Sequence, residues 1–66
     1  MTIVLNGETR EVVDGMTVGS LLDSLSVRPD GTAVALNDQV LPRARQSSTG
    51  LHEGDRLEVI VAVAGG

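Results

Sequence analysis

Gly65 and Gly66 close the 66-residue chain, and the carboxylate they carry is the group best placed for chemistry. A Gly-Gly end suits entry into a narrow active site of another protein, because no side chain obstructs it and its backbone can lie extended in a channel. A carboxylate is a poor electrophile near neutral pH. Loading it requires activation, most simply attack on the α-phosphate of ATP to give an acyl-adenylate from which a nucleophile displaces AMP. The chain contains no Gly-rich phosphate loop, no Cys and no spaced nucleophile and base. ATP binding and the incoming nucleophile must then come from a partner. The expectation is a carrier protein that binds no cofactor itself and is no enzyme in its own right.

Composition narrows the other options. The absence of Cys and the single His leave only scattered carboxylates as metal ligands, without the Asp-rich spacing of a hard-cation loop, so no metal site is expected. Nine acidic residues against five basic ones give a net charge of -4, which argues against nucleic acid as a partner and for a basic protein surface. All five positive side chains are Arg, so no Lys is available for Schiff-base chemistry or conjugation. No stretch approaches the length of a membrane span, and the opening residues lack the basic start and apolar run of a secretory signal. The expected location is the cytoplasm.

The elements that must hold out the Gly-Gly end follow from periodicity and turn chemistry. Thr2–Leu5 and Thr9–Val13 read as strands joined at Asn6-Gly7, a pair that accepts the positive φ angles of a tight hairpin. Alternation places Ile3 and Leu5 on one face with Arg10 and Val12, and turns Val4 and Val13 outward. Thr17 is the expected N-cap of a helix in which Val18, Leu21, Leu22 and Leu25 form one apolar stripe. Gly19 within it either permits close approach to a strand or is a tolerated weakness, and the reading favours tolerance. The turn Arg28-Pro29-Asp30-Gly31 is expected to close the helical region. Ala33–Leu36, apolar on both parities, reads as a short buried strand that turns at Asn37-Asp38 into Gln39–Leu41, which Pro42 ends. Residues 43–50 form a crossover with room for one helical turn, anchored by Leu51. After Glu53-Gly54-Asp55, the run Arg56–Val63 is the longest strand, with Leu57, Val59, Val61 and Val63 on one face and Arg56, Glu58, Ile60 and Ala62 on the other.

A helix after a hairpin covers one sheet face, and the last strand then fills a central place parallel to the first. This is an α+β, ubiquitin-like β-grasp roll of about five strands, expected to occupy residues 1–64 and to carry residues 65–66 as a flexible tail.

The chain resembles the ThiS-type sulfur carriers of thiamine thiazole biosynthesis, within the wider β-grasp group that holds ubiquitin-like proteins and the molybdopterin synthase small subunit. The matching features are the strand ending at Asn6, Gly15 with Thr17-Val18 and Leu21-Leu22, the stretch AVALNDQVLPR over residues 33–43, Gly54-Asp55 and the final AVAGG. One departure is the lack of an aromatic residue in Ala44–Gly50. The resemblance implies that Gly66 is adenylated by an E1-like, ThiF-type enzyme that uses ATP and is then converted to a thiocarboxylate with sulfur from a donor system. It further implies delivery to a ThiG-type thiazole synthase, with Gly65 needed for entry of the tail into the partner. Delivery to molybdopterin or to a cysteine precursor, a ubiquitin-like modifier and a plain binding module remain as alternatives.

The remaining candidates each carry two readings. Ile60, Ala62 and Val4 either dock the activating enzyme or lie under another strand or loop. His52 reads as a solvated loop residue, Arg43 as one half of a surface ion pair at least as readily as a partner contact, and Asp55 as a turn stabiliser. Glu8, Glu11, Asp14 and Glu58 show no acid–base spacing and read as a solvated acidic surface.

Overall fold

The computed structural model describes residues 1–28 and 30–61. Pro29, Ala62, Val63, Ala64, Gly65 and Gly66 lie outside the described residues. The elements in chain order are β1 (Thr2–Leu5), β2 (Glu8–Glu11), α1 (Val18–Ser24), β3 (Thr32–Leu36), β4 (Gln39–Val40), α2 (Arg43–Gln46) and β5 (Arg56–Val61). The five strands form one sheet in the order β2-β1-β5-β3-β4, with β5 parallel to β1 and antiparallel to β3. The expected central final strand is therefore present.

Both hairpins turn where a polar residue takes a left-handed backbone. Asn6 and Gly7 have φ of 49° and 81°, and Asn37 and Asp38 have φ of 51° and 69°, the geometry whose twist matches the flanking strands. The first turn fixes Ile3 opposite Arg10 and Leu5 opposite Glu8. The formal second strand stops at Glu11 rather than Val13, although the Val12 amide still donates to the Met1 carbonyl at 2.9 Å.

Thr17 caps α1 as expected, its Oγ1 accepting from the Ser20 amide at 3.1 Å. The helix is shorter than the stripe suggested. It ends at Ser24, and Ser26 with φ of 58° allows its amide to donate to the Asp23 carbonyl and the Val27 amide to donate to Leu22. That pair of bonds is a Schellman stop built on a serine. The chain therefore leaves the helix before Arg28, not at the 28–31 turn.

The core is wholly aliphatic. Ile3 and Leu5 from β1, Val18, Leu21 and Leu22 from α1, Val34 from β3, Leu57 from β5 and Leu51 from the crossover are all buried. Val34 is the sole fully buried residue of β3, and Ala33 is exposed. The expectation of a strand buried on both faces thus fails, because α1 covers one side of the sheet while Ala33, Val40 and Ile60 on the other side are exposed.

Gly19 corrects a second expectation. A Cβ there would lie 3.0 Å from Ser47 Cα and 3.3 Å from the Gln46 carbonyl oxygen, so the missing side chain lets α1 pack directly against the end of α2. The glycine serves close approach, but to the crossover helix and not to a strand. Gln46, the buried polar residue of the described chain, is held there by a 3.4 Å bond from Nε2 to the Leu41 carbonyl.

Candidate functional site

Strand β5 is the last described element ahead of the C-terminal residues, and the strands on both sides of it anchor it. Its odd-numbered residues direct backbone groups toward β1. The Val4 amide donates to Asp55 and the Asn6 amide donates to Leu57, both at 2.9 Å. Strand β1 then ends, and the Asn6 side chain takes over. Its Oδ1 accepts from the Val59 amide at 2.8 Å and its Nδ2 donates to the Val59 carbonyl at 3.2 Å, reproducing one more rung of the ladder.

Asn37 performs the mirror task at the β3 edge. Its Oδ1 accepts from the Arg56 amide at 2.8 Å, its own amide donates to the Arg56 carbonyl at 2.7 Å, and its Nδ2 donates to Asp55 Oδ1 at 3.0 Å. Asp55 in turn accepts from the His52 amide at 2.7 Å, which confirms it as a turn stabiliser. The two asparagines clamp β5 from opposite sides. Sequence reasoning saw both as turn residues only, although an amide side chain at a left-handed position beside a strand is able to pair with backbone.

The register separates the candidate docking residues. Ile60 is 65% exposed on the open face and stands opposite Ala33. Val40, 82% exposed, stands opposite Ala35 on the same face, where Ala35 also pairs with Glu58. Ile60, Ala33, Ala35 and Val40 therefore form an apolar patch over β5, β3 and β4. Val4 is half-buried and pairs with Arg56, four residues before Ile60 and about 13 Å from it along the strand. It lines a shallow groove with Asn6, Gly7, Arg56 and Glu58 instead of joining the patch. Val40 was not foreseen as a surface residue. The Asn37-Asp38 turn could have revealed it, since a two-residue hairpin loop fixes Val40 across from Ala35.

Ala62, Gly65 and Gly66 fall outside the described residues. Arg43 pairs with Asp30 at 2.6 Å and Arg56 with Asp38 at 2.7 Å, both exposed, so each reads as a surface ion pair of small worth. His52 is solvent-facing, with Nδ1 3.7 Å from Asp55. Among the carboxylates read as solvated, Asp14 and Glu11 lie 3.1 and 4.0 Å from the Met1 ammonium. The Asp14 carboxylate, hydrogen-bonded to that amine, raises it above its ordinary value of 8.0 against the opposing effect of desolvation. Among the described residues no cluster of His, Asp or Glu is arranged for a metal, and no helix is long and apolar enough to cross a membrane.

The chain and its fold have counterparts among known proteins. A family model described as the ThiS family matches residues 3–66. The sulfur carrier protein ThiS of Escherichia coli is 33% identical over 66 residues, which cover the whole of both chains. A thiazole synthase of Paramagnetospirillum magneticum is 35% identical over the whole chain, which spans only 20% of that longer protein. The crystal structure of the thiamine biosynthesis protein ThiS from Geobacter metallireducens superposes with a TM-score of 0.85, at 30% identity and full coverage of both chains.

Proposed function

The chain belongs to the ThiS family, and from that premise we propose that it is a sulfur carrier of thiamine biosynthesis whose Gly66 carboxylate is adenylated and then converted to a thiocarboxylate. The observation that supports this most is the match of the family model up to Gly66, together with a last described strand held on one edge by Asn6 and on the other by Asn37. Such a base gives the terminal carboxylate a defined origin from which to enter a partner's channel, while the glycines offer no side chain to obstruct it.

The chain's own part is recognition and presentation. A ThiF-type enzyme supplies the ATP site and the activation step, and a sulfur donor supplies the nucleophile that replaces AMP. In this reading the chain is acted upon and holds no cofactor. A ThiG-type thiazole synthase receives the sulfur. Segments similar to this whole chain occur within thiazole synthases of Paramagnetospirillum magneticum and Magnetococcus marinus, and a physical link of that kind suits a carrier that must return repeatedly to the synthase. The apolar patch of Ile60, Ala33, Ala35 and Val40 offers the docking surface, with Ala62 and Val4 as further candidate contacts.

Intact-mass analysis tests the proposal. After incubation with a ThiF-type enzyme, ATP and a sulfur donor, the chain should gain the mass difference of one oxygen exchanged for sulfur, and a chain lacking Gly66 should not. An unchanged mass with an enzyme that modifies its own carrier would overturn it.

A further inference from the structure

Asn6 is followed by Gly7, which sets a carboxamide beside an unhindered backbone nitrogen. We infer that Asn6 is a site of self-modification, converted by the Gly7 amide through a cyclic imide to aspartate or isoaspartate. The fold protects the residue only while it is bonded to Val59, and conversion weakens that bonding. In the reaction the Gly7 nitrogen loses its proton to base and bonds to Asn6 Cγ. The Cγ–Nδ2 bond breaks, and the nitrogen leaves as ammonia with a proton taken from solvent. Water then adds to either carbonyl of the imide and cleaves the adjacent C–N bond. One water is consumed and one ammonia released, without oxidant, reductant or enzyme. This chemistry belongs to the chain itself and is independent of the carrier reading.

The surroundings of the turn leave the reaction open. Gly7 has no side chain to shield its nitrogen, and even a Cβ added there would meet no atom within 4 Å. The turn closes between Leu5 and Glu8, and a two-residue loop makes no demand on the Gly7 amide. Asn6 and Gly7 are exposed and line a shallow groove with Val4, Arg56 and Glu58, so water reaches both. Asn37 provides the contrast within the same molecule. It has nearly the same backbone, with φ of 51° against 49°, and also holds β5 by its side chain. Its successor is Asp38, whose side chain shields the attacking nitrogen and is paired with Arg56 at 2.7 Å.

The clamp supplies both the protection and the consequence. Asn6 Oδ1 accepts from the Val59 amide at 2.8 Å, and Nδ2 donates to the Val59 carbonyl at 3.2 Å. These bonds hold the carboxamide toward β5, so turning Cγ onto the Gly7 nitrogen breaks both, and reaction proceeds from locally opened molecules. Aspartate keeps the acceptor for the Val59 amide but presents a second oxygen to the Val59 carbonyl, where repulsion replaces a hydrogen bond. Isoaspartate adds a backbone methylene to a loop whose length sets Leu5 opposite Glu8. Either product releases β5 more readily than asparagine does. The change is one-way, and it marks aged copies by a loosened β5.

The test incubates the full chain, folded and in denaturing urea, in mildly alkaline buffer made with heavy-oxygen water. Peptide mass spectrometry then reads label at positions 6 and 37. Position 6 should convert in both samples, about tenfold or more slower in the folded one because opening breaks two hydrogen bonds. In urea, position 37 should lag position 6 by about tenfold or more, since only Gly7 leaves the attacking nitrogen unshielded. The converted chain, separated by its added negative charge, should unfold at lower urea than the native chain, as should Asn6→Asp. Equal rates at position 6 in the two samples, absence of label there in the folded chain, faster label at position 37, or an unchanged urea midpoint would each overturn the inference. No activating enzyme takes part, so failure of enzymatic thiocarboxylation would refute the carrier reading and leave these outcomes unaffected.

Discussion

Replacing Asn6 separates the two things its side chain and backbone do for the exit strand. Asn6→Gly keeps the left-handed turn, in which φ is 49°, and removes both bonds to Val59. Each exposed hydrogen bond contributes roughly 0.5–1.5 kcal/mol net, so the loss should be about 1–2 kcal/mol after glycine's easier turn geometry offsets part of it. Asn6→Ala loses the same bonds and must also hold a Cβ in the left-handed region, which raises the total to about 2–4 kcal/mol. In a domain of this size, each kcal/mol corresponds to about 4–8 °C in Tm. Because the chain has no Trp, Tyr or Phe, unfolding is best followed by far-UV circular dichroism in urea and on heating. The expected order of stability is native, then Gly, then Ala. Equal stability of the native chain and Asn6→Gly would refute the clamp, and equal stability of the Gly and Ala variants would refute the strain argument.

Gly19→Ala gains up to about 1 kcal/mol of helix propensity but drives a Cβ to 3.0 Å from the Ser47 backbone, so a net loss of about 1–2 kcal/mol is expected in the same unfolding assay. Ile60→Glu and Val40→Glu should leave stability within about 0.5 kcal/mol of native while slowing thiocarboxylation, since both side chains are largely exposed. Equal modification rates would remove the patch from the docking account. The Met1 amine has a raised pKa in the fold, so its contribution is fully present below its ordinary value of 8.0 and is lost as pH rises through the higher folded value. Urea midpoints of the native chain should therefore fall across that alkaline window, and Asp14→Asn should flatten the decline.

Much of the fold was legible because its punctuation is local. Asn6-Gly7 and Asn37-Asp38 announce left-handed turns, and Thr17 ahead of Val18, Leu21 and Leu22 announces a capped amphipathic helix. These elements admit one economical arrangement, with β5 in the middle. What escaped was set by partners distant in sequence. The packing of Gly19 on Ser47 depends on where the crossover helix falls, and the one-sided exposure of β3 depends on which face α1 covers. The stop at Ser26 was hidden because a serine occupies the left-handed position usually given to glycine. At the candidate site, Ile60 was legible from alternation, whereas Val40 and the side-chain pairing of Asn6 with Val59 required the register of the sheet.

The account stands or falls on Gly66 as the sulfur-bearing residue. Tandem mass spectrometry of the chain, after reaction with a ThiF-type enzyme, ATP and a heavy-sulfur donor, reads that position directly. The account predicts one heavy sulfur, confined to the C-terminal fragment that contains Gly65 and Gly66 and absent when ATP is omitted. Label elsewhere in the chain, or a C-terminal fragment that remains an unmodified carboxylate while the rest of the system turns over, would contradict it.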